Sequence, residues 1–147
     1  MRALTIATYT KYENAIEALL NEEIDAFGTT DTFKVAIVTD APDAALDDEL
    51  ADTTQIAGSN GYTTGGEDIQ NDATRTGGTV TFTAVDVVWT ASAGNLGAST
   101  TGRYFPVHDD TSTTDILLCY HDYGTTFTVA AGETMTWNTG ASLFTAA

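Results

Sequence analysis

Only one stretch of this chain repeats its apolar residues at helical spacing. Thr10-Lys11-Tyr12-Glu13 has the form of a capping box, and Ile16, Leu19, Leu20, Ile24 and Phe27 then recur at helical intervals until Gly28. The spacing predicts one amphipathic helix over residues 11–26, with that stripe turned inward and Glu13, Glu17, Glu22, Glu23 and Asp25 toward water. After Gly28 the period changes. Residues 31–39 alternate, with Phe33, Val35 and Ile37 on one side and Lys34, Ala36 and Val38 on the other. The second side is largely apolar too, so this strand is expected to lie centrally in its sheet. Short, turn-bounded strand-like runs follow over 79–84, 85–91, 102–108, 116–123, 125–130 and 134–138. The 29 threonines favour the same outcome, because a branched β-carbon fits a pleated strand while the hydroxyl tolerates water. Ala131-Gly132 reads as the tip of a hairpin that sets Phe127 and Val129 near Met135 and Trp137. The expected fold is mainly β: an antiparallel β-sandwich or barrel with one N-terminal amphipathic helix against it. Residues 1–10 form an irregular N-terminal arm in this reading, and 11–147 a single helix-plus-β-sandwich domain.

Two segments lack either period. Residues 40–52 hold Pro42 and a dense set of aspartates, with only Leu46 and Leu50 as apolar anchors, and are expected to form an exposed loop with at most a short helical turn. Gly58, Gly61, Gly65 and Gly66 punctuate a second irregular stretch around Tyr62. Over the whole chain 21 acidic residues face 5 basic ones, a formal net charge of −16, which disfavours partners such as nucleic acid or an anionic membrane surface. No apolar run is long enough to span a bilayer, and residues 1–10 lack the pattern of a secretory signal. The single cysteine, Cys119, cannot close an internal disulfide.

Chemistry-bearing residues are few. His108 with Asp109 and Asp110, and His121 with Asp122, are the pairs suited to general acid–base work, but no nucleophile elbow, phosphate-binding glycine loop or His-Glu-x-x-His accompanies them. Cys119 and His121 stand two apart on one strand and with His108 would supply three metal ligands; the simpler account makes Cys119 a small buried apolar residue and puts His121 at a strand end. Asp40, Asp43, Asp47 and Asp48, and separately Asp109, Asp110 and Asp115, offer hard oxygens to calcium or sodium, without EF-hand spacing. Tyr62, Tyr104, Tyr120, Tyr123, Trp89 and Trp137 are stacking candidates for a sugar, yet strand alternation assigns most of them to the core. Tyr62, in a glycine-rich turn, is expected to pin its loop to the sheet. The sequence therefore assigns no catalytic, cofactor-binding or metal residue, and the chain is not expected to be an enzyme.

Several segments in order carry a resemblance. These are Tyr12-Glu13-Asn14-Ala15, Asp31-Thr32-Phe33-Lys34-Val35-Ala36, Gly61-Tyr62-Thr63-Thr64-Gly65-Gly66 and Asp86-Val87-Val88-Trp89-Thr90-Ala91. Arg103-Tyr104, residues 117–120, Asp122-Tyr123-Gly124 and the runs 127–129 and 136–137 complete the pattern. Together, over residues 11–145, the chain resembles a family of small tailed-virus virion structural proteins. The resemblance implies a capsid decoration (cement) protein on the outer face of the major capsid protein lattice, with a homotrimer as the natural symmetry and residues 1–9, 40–52 and 95–101 as contact pieces. A tail-tip, tube-capping or receptor-contacting tail component is the alternative, and a lectin-like module a more distant one. The acidity departs from that family, as do 40–52 and 95–101, which look like local insertions.

The acidity fits a virus of a halophilic archaeon. Carboxylates in this excess repel one another in dilute buffer, whereas at 1 M salt the screening length falls to about 3 Å and the repulsion is quenched. The melting midpoint should therefore rise as sodium chloride is taken from low to multimolar concentration; a midpoint that stays level would show the charge excess to have no bearing on stability.

Overall fold

The computed structural model describes residues 2–5, 9–25, 30–99, 101–140 and 142–146. In chain order the strands are β1 (Arg2–Thr5), β2 (Thr10–Lys11), β3 (Phe33–Val35), β4 (Glu67–Asp68), β5 (Asp72–Thr76), β6 (Thr79–Thr83), β7 (Val87–Thr90), β8 (Gly102–Asp109), β9 (Leu117–Phe127), β10 (Thr134–Asn138) and β11 (Phe144–Ala146). One α-helix, α1 (Asn14–Leu20), and two single turns of 3-10 helix, Leu50–Asp52 and Leu96–Ala98, accompany them. The protein is mainly β, with sheets that are antiparallel apart from one pair. The sheet orders are β2-β9-β8-β3-β4, β1-β10-β7 and β11-β6-β5, and none closes into a barrel. No described helix is long and apolar enough to cross a membrane.

The apolar segment within 31–39 lies inside the largest sheet, as expected of a strand apolar on both sides, but the central strand is β8 and not β3. β3 lies between β8 and β4, and Phe33, Val35, Ala36, Ile37 and Val38 are all buried. Regular pairing stops at Val35, but Ala36 N donates to Pro106 O (2.9 Å) and Val38 N to Tyr104 O (2.9 Å), so the segment stays bonded to β8. Behind it, Phe105 stacks on Phe127 (centroids 5.6 Å apart) and meets Trp89 of β7 at 6.1 Å, while Trp137 of β10 meets His121 of β9 at 5.6 Å. These ring contacts join the five-stranded sheet to the β1-β10-β7 sheet around one core.

Several expectations need correction. The runs 116–123 and 125–130 are largely one strand, β9, carried through Gly124 at φ 86°, where the ladder to β8 shifts register. The hairpin at 131–132 does not form: the chain turns there, but β10 pairs with β7 and β1 rather than with β9. Gly132 N donates to Ala91 O (2.8 Å) and Ala91 N to Glu133 O (3.0 Å), which ties the turn to the end of β7. Arg2–Thr5, expected to be irregular, is a strand parallel to β10. Leu50 is an anchor of the 40–52 loop, whereas Leu46 is 76% exposed.

The helix is shorter than its spacing predicts and shows a different face. Thr10 belongs to β2, Glu13 precedes the helix without a side-chain cap, and α1 ends at Leu20. Glu22 takes a left-handed conformation (φ 60°) and Glu23 N donates back to Ala18 O (2.9 Å), the hydrogen-bond pattern of a Schellman ending without its usual glycine. The residues turned to the core are Tyr12, Ala15 and Ala18, whose small or flat side chains let α1 approach β9 closely, with Tyr12 against Tyr120 (5.4 Å). Leu20, placed in the inward stripe by the spacing, is 79% exposed; Ile24 is buried beyond the helix end; Phe27 and Gly28 lie outside the described residues.

Two glycines separate conformation from crowding. Gly66 (φ 82°) and Gly132 (φ 84°) share the same left-handed backbone, yet a Cβ on Gly66 would sit 1.9 Å from Val35 O, while one on Gly132 would meet nothing within 4 Å. Gly132→Ala should cost about 1–3 kcal/mol, the conformational penalty alone. Gly66→Ala should cost clearly more, because β4 must move off β3. Equal losses in denaturant unfolding would show that the approach of Gly66 to Val35 has slack.

Candidate functional site

Of the acid–base pairs read from the sequence, His121 with Asp122 does not form. His121 lies inside β9 rather than at its end, 2% exposed, with its ring edge-on to Trp137 and to Tyr9 (6.4 Å). Its neighbour Asp122 points the other way, as consecutive strand residues do, and forms a two-pronged ion pair with Arg103 (2.8 and 2.9 Å). That pairing holds the Asp122 carboxyl below its usual range. His121 Nδ1 has no hydrogen-bond partner, and burial lowers the imidazole pKa to about 4. Cys119 is buried as expected, and burial pushes its thiol pKa up, away from thiolate chemistry.

The first histidine finds different company. His108 is at the end of β8, where a register shift between Val107 and His108 leaves Leu118 of β9 without a place in the ladder. It is 0% exposed. Nε2 lies 2.9 Å from Gly65 O, and since a carbonyl can only accept, Nε2 carries the proton and Nδ1 a bare lone pair. Nδ1 has no hydrogen-bond partner and lies 3.7 Å from Asp115 Oδ1. Burial lowers the pKa of His108, against the opposing pull of Gly65 O, Asp115 and Asp110. Among the described residues, one group of three possible metal ligands converges: His108, Asp110 and Asp115, with ligand atoms within 4.8 Å of one another. The trio that spacing allowed but the simpler account set aside, Cys119 with His121 and His108, does not converge among the described residues.

Of the acidic set 109, 110 and 115, Asp109 takes a separate role. It is buried, its Oδ1 accepts from Thr111 N (2.8 Å) and Ser112 N (3.3 Å), and its Oδ2 faces no donor. Burial first, with repulsion from Asp31 adding to it, pushes its pKa up to about 6. Asp110 pairs with Lys34 Nζ at 2.6 Å. In the 40–52 loop most carboxylates are occupied by backbone amides: Asp40 accepts from Thr54 N (2.9 Å), Asp47 from Asp43 N (2.7 Å), and Asp52 from Asp48 N and Glu49 N (3.0 and 3.1 Å). These acids build the loop instead of pooling as an ion site. Beside it, α1 and residues 48–49 wall an open cleft of about 290 Å³ whose carboxylates, Glu17, Glu23, Asp48 and Glu49, make it hostile to anions.

No protein-family model matches the chain, and no curated protein or solved structure matches it either.

The aromatic residues complete the picture. Tyr62 is buried, its hydroxyl donates to Gln55 Oε1 (3.0 Å) and accepts from Ile37 N (3.1 Å), so it pins the glycine-rich loop to the segment that continues β3 along the sheet. Burial pushes its pKa up to about 12. Trp89, Trp137 and Tyr104 are also buried, and Tyr120 and Tyr123 half-buried against the core.

His121 gives stability a pH dependence of definite sign. Above pH 6.5 its imidazole is neutral in both the folded and the unfolded chain and contributes nothing. Between 6.5 and about 4 only the unfolded chain takes up the proton, so stability falls as pH falls, by up to about 1.4 kcal/mol per pH unit and on the order of 3 kcal/mol in all. Asp109 acts in the opposite sense between 3.8 and about 6, where only the folded chain holds its proton, so the comparison must be made against a variant. Unfolding free energies of the wild type and His121→Leu, measured from pH 7 to 4, should diverge, with the wild type falling more steeply; parallel curves would count against a buried neutral imidazole.

Proposed function

We propose that the protein is a virion structural component, a capsid decoration (cement) protein that binds the outer face of the major capsid protein lattice of a tailed virus living in brine. The observation that carries this reading is where the chemistry-bearing side chains go. His121, Cys119, Trp89, Trp137, Tyr62 and Tyr104 are consumed by the core, and the aromatic face a lectin would need is turned inward. The surface left over is acidic, with isolated apolar residues such as Leu20, Leu46 and Val88, and suits a broad contact with another macromolecule better than a grip on a small one. The ordered resemblance to small tailed-virus virion proteins supplies the partner.

The finer architecture in this reading is an open antiparallel sandwich. Its two layers are the five-stranded sheet and the β1-β10-β7 sheet, a reading supported by the Trp89–Phe105 and Trp137–His121 contacts between them. The mechanism is mass action: a protein that binds the assembled lattice and not its free subunits shifts the equilibrium toward the intact shell. A homotrimer on a local threefold axis would bridge neighbouring capsid subunits. The exposed acids keep such a coat soluble at high salt, and they argue against nucleic acid or membrane as partner.

Position in the particle tests the proposal. Cryo-electron microscopy of antibody-labelled virions at high salt should show many copies distributed over the head, and shells assembled without the protein should open at lower temperature. Label confined to a ring or tip of the tail would overturn the capsid assignment in favour of a tail component.

A further inference from the structure

We propose that His108, Asp110 and Asp115 bind one divalent transition-metal ion of the zinc class, through His108 Nδ1 and one carboxylate oxygen from each aspartate. The ligand atoms already lie within 4.8 Å of one another. Around a tetrahedral ion with bonds of about 2.0–2.2 Å, ligand atoms sit roughly 3.3–3.6 Å apart, and Nδ1 and Asp115 Oδ1 are 3.7 Å apart before any ion draws them in.

An acidic cluster alone would not make a site. The second observation is the imidazole: His108 is wholly buried, its Nδ1 has no hydrogen-bond partner, and that atom is aimed at the carboxylates. A buried polar atom without a partner is costly, and an ion would satisfy it. The bond from Nε2 to Gly65 O is the kind of outer contact that metal-bound histidines make, since it fixes the tautomer and the ring orientation with the lone pair toward the ion. Two carboxylates balance the charge of a dication. Lys34, on Asp110 Oδ2, opposes the ion electrostatically, but a carboxylate can serve an ammonium and a metal through different oxygens.

The donor set selects the metal. One imidazole nitrogen with two carboxylates suits zinc, cobalt or manganese, whereas calcium and magnesium prefer all-oxygen sets. Bound there, the ion would tie residues 110–115 to the end of β8, and through Gly65 to the loop that precedes β4.

Titration of the full chain tests this. The protein is stripped with a chelator and dialysed into multimolar sodium chloride, which screens diffuse binding to the acidic surface. Cobalt(II) should then bind at one ion per chain, give visible d–d absorption bands, and be displaced by zinc but not by equal magnesium or calcium. Zinc should raise the melting midpoint. Asp115→Asn and Asp110→Asn should each weaken binding at least about tenfold. Glu17→Gln, on the acidic cleft, should leave the titration unchanged. Either ligand variant suffices if the other fails to fold. Absence of saturable cobalt or zinc binding would overturn the proposal, as would aspartate variants that titrate like the wild type or a Glu17→Gln loss equal to theirs.

Discussion

Phe105 lies between Trp89 and Phe127, and the rest of the architecture depends on that contact. It belongs to β8, the strand that pairs on one side with β9 and on the other with β3, while Trp89 comes from β7 in a different sheet. The stack therefore fixes the distance and angle between two sheets that share no ladder. Burying large aromatic rings is the strongest attraction available to a chain with no disulfide and few ion pairs, and offset or stacked rings add to the area term. With the two sheets joined there, Trp137 covers His121, and α1 can lie against β9 only through residues as small as Ala15 and Ala18.

The acids serve the fold in ways that net charge hides. Within 40–52 the carboxylates accept backbone amides that no strand or helix would satisfy, which is how a segment with a single buried apolar anchor keeps a defined path. The Glu49–Asp52 pair caps its 3-10 turn reciprocally. Arg103 and Lys34 are both engaged by aspartates, so the scarce cations are placed where two strands or a strand and a turn need tying. The remaining excess of acid is what the surface carries, and that share alone answers to the salt around it.

Periodicity was informative where both the cause and the burial were simple. Residues 33–38 are apolar on both sides because both faces of that segment are covered, and the pattern places β3 inside the largest sheet, one strand away from its centre. The helix misled because leucine and isoleucine at helical spacing outweighed two alanines, yet close packing on β9 needs the alanines. Its end was hidden because Glu22, not a glycine, takes the left-handed position. β5 (Asp-Ala-Thr-Arg-Thr) has no apolar alternation since almost all of it is exposed, although Gly77-Gly78 between it and β6 is a two-residue hairpin turn that sequence alone can signal. The converging trio of His108, Asp110 and Asp115 was only partly legible. Spacing grouped Asp110 and Asp115 with Asp109 and set His108 beside Asp109 and Asp110, but nothing in it separates Asp109 from the trio, and the bulge at His108 has no signature in the sequence.

Three sheets that do not close leave strand edges, and at high salt charge is a poor guard for them. At molar salt the screening length of about 3 Å is shorter than the spacing of roughly 4.8 Å between paired strands, so like charges on two edges barely feel each other until they are nearly in register. What discourages end-to-end pairing is brevity. β2 and β4 are two residues long, and β5, at five, is fully paired with β6 on its other side and carries polar residues outward. An edge so short offers a stray chain too few hydrogen bonds to offset the ordering of its backbone.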